Sequence, residues 1–167
     1  MSGIRLLPEN LRHMIAAGEV VEGPFSVVKE LIENSIDSGA TEIDLEITDS
    51  GFKKITVRDN GSGISRNDIE LSIREHATSK ITDLSDLEQI RTYGFRGEAL
   101  SSIASISDLV ILSRKEDENM GARLESGVNG VKVTDYAGSA GTTVIAENLF
   151  FTMPARKKFL KSKRVEL

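Results

Sequence analysis

The sequence contains no cysteine and only two histidines. The missing thiol excludes disulfides, iron–sulfur clusters, thiolate zinc sites and a cysteine nucleophile. Two histidines leave little for a histidine-rich metal centre, and His13 and His76 read as structural or surface residues. Long apolar runs are also missing. Leu109-Val110-Ile111-Leu112 is among the longest, far below the roughly 20 residues of a membrane-spanning helix. The start of the chain carries Arg5 and Glu9 and has no signal-peptide core. These absences lead us to expect a cytoplasmic protein, or a nuclear one in a eukaryote, with no membrane partner.

What is present suits one folded domain. The chain has 167 residues, 39% hydrophobic and 28% charged, within the usual range for a soluble globular domain. The net charge of −5 argues against a protein that simply coats DNA. That average hides an asymmetry. The segment Arg156 to Arg164 holds six basic residues and no acid, so the rest of the chain is the more acidic.

The pattern predicts helices interleaved with hairpin-connected strands. A helix is expected from about Ser26 to Ser38, between Pro24 and Gly39. Val28, Leu31, Ile32, Ser35 and Ile36 would form its inner face. Strands follow around Ile43 to Ile47 and at Ile55 to Val57, joined through Asp49-Ser50-Gly51. Asn67 is read as the cap of a helix reaching about His76. The stretch Ala77 to Phe95 reads as mostly irregular, with a short helix near Ser85 to Ile90. A further helix starts near Gly97, and strands are expected at Leu109–Ser113, Ala122–Glu125, Val131–Thr134 and Thr142–Ala146. Thr152 and Pro154 signal the start of a final basic helix. This order implies an α/β two-layer sandwich, with a mixed, mainly antiparallel sheet and helices on one face.

Several segments are suited to chemistry. Glu30 and Asn34 stand one helical turn apart on one face. A carboxylate there suits a general base, and an amide oxygen suits Mg²⁺. The other reading of this acidic stripe is a solvated polar face, the commoner case for a helix taken alone. Asp59-Asn60-Gly61-Ser62-Gly63 follows a strand. Its carboxylate suits an exocyclic amine such as that of adenine, and Gly63 allows close backbone approach to a ring. An ordinary Asx-turn is the open alternative.

Gly94-Phe95-Arg96-Gly97-Glu98-Ala99-Leu100 runs from a loop into a helix, a place where free N–H groups meet phosphate. Arg96 adds charge there or serves an ion pair. The segment does not match the G-x-x-x-x-G-K-[ST] loop, which disfavours a Walker-type ATPase. Thr78, Ser79 and Lys80 suit a lid over a nucleotide or an exposed polar loop. Gly141-Thr142-Thr143 enters a strand and offers a hydroxyl toward a base, Thr143 being favoured.

Taken in order, these segments resemble one family. Ala16-Ala17-Gly18-Glu19-Val20, Lys29-Glu30-Leu31-Ile32-Glu33-Asn34-Ser35, Asp59-Asn60-Gly61-Ser62-Gly63-Ile64, Ala77-Thr78-Ser79-Lys80-Ile81, Gly94 to Leu100 and Pro154-Ala155-Arg156-Lys157-Lys158-Phe159 carry the resemblance. It is to the N-terminal ATPase region of MutL-type DNA mismatch-repair proteins, in the GHKL superfamily with its Bergerat ATP-binding fold. Gly23 and Phe25 stand where that family often has Arg and Ala, and Phe151-Thr152-Met153-Pro154 replaces the usual Tyr-Asn-Thr-Pro.

The resemblance implies ATP and Mg²⁺ as ligands. Glu30 would be the general base, Asn34 the Mg²⁺ ligand and Asp59 the reader of adenine. Gly63, Thr78 to Lys80, Gly94 to Leu100 and Thr143 would bind nucleotide or form its lid. It also implies an ATP-dependent N-terminal dimer through the region Ala16 to Pro24. Coupling to a mismatch-recognition protein, to a downstream nuclease or helicase and, weakly for this segment, to DNA is implied as well. The domain would span 1–167, with an arm over about 1–22 and a basic helix over about 153–167. The family's second domain, which supplies a Lys to the γ-phosphate, is expected to be absent. Two other readings stay open: nucleotide binding without turnover, and DNA binding through the basic tail. A histidine kinase fits poorly, since only His13 precedes the Glu30 helix.

Overall fold

Pro24 in the first turn and a line of residues four apart define helix α1 (Pro24–Asp37). Pro suits that turn because its missing N–H would find no helical partner there. The buried residues are Val27, Leu31 and Ser35. The inner line therefore lies one residue round from the expected face, with Ile36 left exposed. The reason is that α1 packs along one strand, and the i, i+4, i+8 ridge is what fits over it.

The computed structural model describes residues 3–9, 11, 12, 15, 21–74 and 99–165, with side chains to 162. After α1 come β1 (Ile43–Thr48), a 3₁₀ turn (Asp49–Gly51) and β2 (Lys54–Asp59). A second 3₁₀ turn (Leu71–Ile73), α2 (Ala99–Ile106), β3 (Asp108–Arg114), β4 (Gly121–Gly127), β5 (Gly130–Tyr136), β6 (Gly141–Glu147) and α3 (Pro154–Val165) follow. In the stretch read as an arm, residues 3–9, 11, 12 and 15 are exposed, whereas Val21 is buried.

The six strands form one sheet in the order β1-β2-β6-β3-β4-β5. Every pairing between them is antiparallel, so the sheet is not mixed. The cause lies in β6. Strands β2 and β3 do run in the same direction, but β6 inserts between them and converts one parallel contact into two antiparallel ones.

Residues opposite each other in such a ladder share a face. Ile55 and Val57 of β2, Val144 and Ala146 of β6, Leu109 and Ile111 of β3, and Ala122 and Leu124 of β4 all fall on one face and are buried. Helices α1 and α2 pack against β2, β3 and β4. The result is the two-layer α/β sandwich expected from the pattern.

Two local expectations fail. No α-helix forms over residues 67–74. Ser65 rather than Asn67 does the capping: its hydroxyl accepts from Asp68 N–H at 3.2 Å and donates to Asp68 Oδ2 at 2.8 Å. A turn and the short 3₁₀ segment follow, anchored by fully buried Ile69. The remainder of that expected helix, the irregular stretch Ala77 to Phe95 and the short helix inside it lie outside the described residues. The second failure is Thr152. Its hydroxyl is buried without a hydrogen-bond partner, so it does not cap α3. Pro154 opens that helix, and Met153 accepts from Lys157 N–H at 3.0 Å.

At the end of the sheet away from Asp59, the chain closes around two phenylalanines. Phe52 and Phe150 have ring centroids 6.4 Å apart. Phe150 N–H donates to Ile106 O at 2.7 Å, tying β6's exit to the end of α2. The Arg156 guanidinium stands 5.7 Å from the Phe150 ring centroid and donates to Val21 O at 3.2 Å.

Candidate functional site

The candidate site grows from the point where α1 crosses the end of β2. Ser35 is buried on the inner ridge of α1 and donates to Asp59 Oδ2 at 2.7 Å. The other carboxylate oxygen, Oδ1, accepts from Gly61 N–H at 2.9 Å and from Thr142 N–H at 3.3 Å. Helix α1, strand β2 and strand β6 therefore meet on one carboxylate. The Gly61 bond is the Asx-turn that the sequence left open. It engages Oδ1 only, so turn formation and ligand recognition do not exclude each other.

The loop beyond Asp59 is held by its neighbours. Asn60 Oδ1 accepts from Thr41 N–H at 2.8 Å and Glu42 N–H at 3.0 Å, and its amide donates to Thr41 Oγ1 at 2.8 Å. Ser62 N–H donates to Ser38 O at 3.0 Å, tying the loop to the end of α1. Gly63 has φ +74, and a Cβ there would run into the Arg114 carbonyl of β3. The requirement for glycine is thus set by the strand beneath the loop. Gly141 has φ +112, and its missing Cβ lets β6 begin directly against the Asp59 backbone.

Glu30 and Asn34 are both half-buried on α1, one turn apart. Asn34 immediately precedes Ser35, so the helix that carries the proposed base and amide is fixed to the Asp59 carboxylate. Among the described residues no group of three or more His, Asp or Glu could hold a metal ion. Mg²⁺ keeps most of its waters and takes one or two protein oxygens plus phosphate. The Asn34 amide fits that limited role, and the described residues do not fit a dedicated metal cage.

Thr143 is displaced from the site. In the ladder Asp59 stands opposite Thr142, while Thr143 stands opposite Arg58. Thr143 therefore points to the other face of the sheet, and Thr142 takes the place expected for it. Its hydroxyl lies 2.8 Å from Ser113 Oγ. Ala99 and Leu100 open α2, and Leu100 packs against the core. Thr78, Ser79, Lys80, Gly94, Phe95, Arg96, Gly97 and Glu98 lie outside the described residues, as do Ala16 to Val20, His13 and His76.

This helix-on-antiparallel-sheet arrangement, with a carboxylate at the strand end, has clear relatives. A family model described as histidine kinase-, DNA gyrase B-, and HSP90-like ATPase matches residues 22–136. The chain belongs to this ATPase family.

Within it the similarity is to MutL. The chain is 52% identical over 165 residues to a DNA mismatch repair protein MutL of Xanthomonas oryzae pv. oryzae (strain PXO99A), covering 98% of this chain and 26% of the relative. It is 51% identical over 168 residues to the MutL of Shewanella baltica (strain OS185), covering 99% of the chain and 27% of that protein. The chain thus spans about a quarter of the length of the relatives it matches. Among solved structures, the N-terminal domain of a DNA repair protein aligns with TM-score 0.72 and 34% identity, over 91% of this chain and 44% of that one. The ATPase domain of Aquifex aeolicus MutL complexed with ADP aligns with TM-score 0.66 and 33% identity, over 84% of this chain and 48% of that one.

The family match ends at residue 136, before β6, so it does not reach either threonine. Strand parity carries the signal for Thr142. Val144 and Ala146 face inward, and Thr142 shares their parity. The apolar run Val144-Ile145-Ala146 is apolar on both faces and hid that alternation. Ser35 was read as part of a packing face, and Ser113 as part of a strand. Each is a hydroxyl on an otherwise apolar inner line, which is the cue to its bond at the polar strand end, Ser35 to Asp59 and Ser113 to Thr142.

Proposed function

We propose that this chain is the ATP-binding and slowly hydrolysing switch module of a mismatch-repair protein. The observation that carries the reading is the Ser35–Asp59 hydrogen bond of 2.7 Å. It joins the helix bearing Glu30 and Asn34 to the carboxylate at the end of β2, so one rigid piece holds a base, an amide oxygen and an acceptor for an exocyclic amine. The ADP-bound MutL ATPase domain among its structural relatives supports adenine nucleotide as the ligand.

In this reading Asp59 accepts from the adenine amine. Glu30 takes a proton from the attacking water. Asn34 holds Mg²⁺, which when bound neutralises charge on the phosphates. Thr78 to Lys80 and Arg96 to Leu100 contact phosphate and form the lid. Nucleotide-driven ordering then controls dimerisation through the arm and coupling to mismatch-recognition and downstream repair factors. The test is phosphate release by the folded chain with Mg²⁺. Turnover that disappears in Glu30→Ala supports the hydrolytic reading. Nucleotide binding with no Glu30-dependent turnover supports a binding-only module instead.

One observation favours a second role for α3. Lys157, Lys158 and Lys161, with Pro154 and Ser162, line an open groove of about 470 Å³. Such a surface suits DNA phosphates, whose contacts give steep salt dependence. Neutralising the three lysines should then abolish DNA retention, and unchanged retention rejects this role.

A further inference from the structure

Asp59 of β2, Thr142 of β6 and Ser113 of β3 stand opposite one another in a single row across the sheet. Ser113 is fully buried and has no part in the reading above. Its Oγ meets three groups. It accepts from Ile64 N–H at 2.7 Å, and it lies 3.1 Å from Gly141 O and 2.8 Å from Thr142 Oγ1.

A serine hydroxyl has one proton and two lone pairs. Ile64 occupies one lone pair. A carbonyl only accepts, so the Ser113 proton goes to Gly141. The Thr142 hydroxyl must then donate into the remaining lone pair. No other assignment satisfies all three contacts together. The Thr142 proton is therefore directed inward, away from a ligand. The Asp59 carboxylate oxygens already accept from Ser35, Gly61 and Thr142.

We propose that Ser113 is a positioning residue of the base subsite. By directing the Thr142 proton inward, it leaves only acceptor oxygens opposite the purine 6-position, which take a 6-amino group and repel a 6-oxo group. Ser113 also anchors the loop at Ile64, so a plain structural role has to be separated from this one. The proposal rests on the nucleotide reading, and the test distinguishes the failure of each.

The experiment titrates the 167-residue chain with a non-hydrolysable ATP analogue and with its inosine counterpart. It compares wild type, Ser113→Ala, Thr142→Val and Thr142→Ser, each checked for folding by circular dichroism. Wild type should prefer the adenine nucleotide. Ser113→Ala releases the Thr142 proton to meet the 6-oxo group, so the preference should narrow about fivefold, the worth of one ordinary hydrogen bond. A merely structural loss weakens both nucleotides in proportion, and an unchanged ratio overturns the proposal. Thr142→Val keeps the Ile64 and Gly141 bonds and removes the repelling oxygen. It should narrow the preference too, while Thr142→Ser keeps it. If Ser113→Ala does not fold, Thr142→Val decides by the same ratio. Wild type that binds both nucleotides equally overturns the proposal and leaves the nucleotide reading intact. Wild type that binds neither overturns both.

Discussion

The two ends of strands β2, β3 and β6 are built from opposite materials. At one end the chain closes around Phe52, Leu149 and Phe150, all buried, with aromatic contact and backbone bonds between elements. At the other end the same inward-facing row reads Asp59, Thr142, Ser113. The apolar end contributes stability through burial, which scales with the area removed from water. The polar end places three hydrogen-bonding side chains where apolar ones would pack: Thr142 and Ser113 bond each other, and Asp59 is held by the Ser35 hydroxyl and two backbone N–H groups. Polar networks of this kind fix a geometry more than they add stability. One end holds the fold together, and the other is the end proposed to meet a ligand.

The largest expected effect lies at the apolar end. Phe150→Ala should destabilise the chain by about 3–5 kcal/mol, as large-to-small changes at fully buried aromatics do. Urea denaturation checks this, and a shift below about 1 kcal/mol would undo the contrast between the two ends. At the polar end a comparable change should remove function instead. Glu30→Ala should lower phosphate release by about 10²-fold or more, the usual worth of a general base. The variant should remain folded, as circular dichroism checks.

A smaller effect is expected where α3 meets the apolar end. Arg156→Ala removes the contact with Phe150 and the bond to Val21 O, and should cost about 1 kcal/mol. Arg156→Lys should recover only part of that, since an ammonium lacks the planar fork.

The smallest effect concerns β4, on the outer face. Arg123 bonds Glu125 at 2.7 Å and 3.0 Å and, with its charge, holds that carboxyl below the usual carboxylate range. A lowered folded-state value stabilises above the unfolded value and is lost as pH falls through the folded one. Arg123→Ala should therefore match wild type in strong acid and fall marginally below it toward neutral pH. A wild-type advantage confined to acid would contradict the sign.

Much of this contrast was legible in the sequence. Pro24, the Leu31–Ser35 spacing and the alternation in each strand produced the elements nearly in place. The Asp59-to-Gly63 segment stood out as a candidate site. What stayed hidden depended on pairing. Nothing local shows that β6 inserts between β2 and β3, so neither the wholly antiparallel sheet nor the choice of Thr142 over Thr143 could be read. The same holds for Ser113, which lies 49 residues from its partner Ile64. Over the described residues 67–74 the expected helix failed for a local reason, the competing hydroxyl of Ser65.

The central claim is that the polar end of the sheet is an adenine-nucleotide site. The most direct measurement is a calorimetric titration of the folded chain with Mg²⁺ and a non-hydrolysable ATP analogue, run beside Asp59→Asn. The account predicts saturable one-to-one binding by wild type, and a loss of about tenfold or more in a variant that remains folded. No saturable binding by folded wild type, or equal binding by Asp59→Asn, would contradict it.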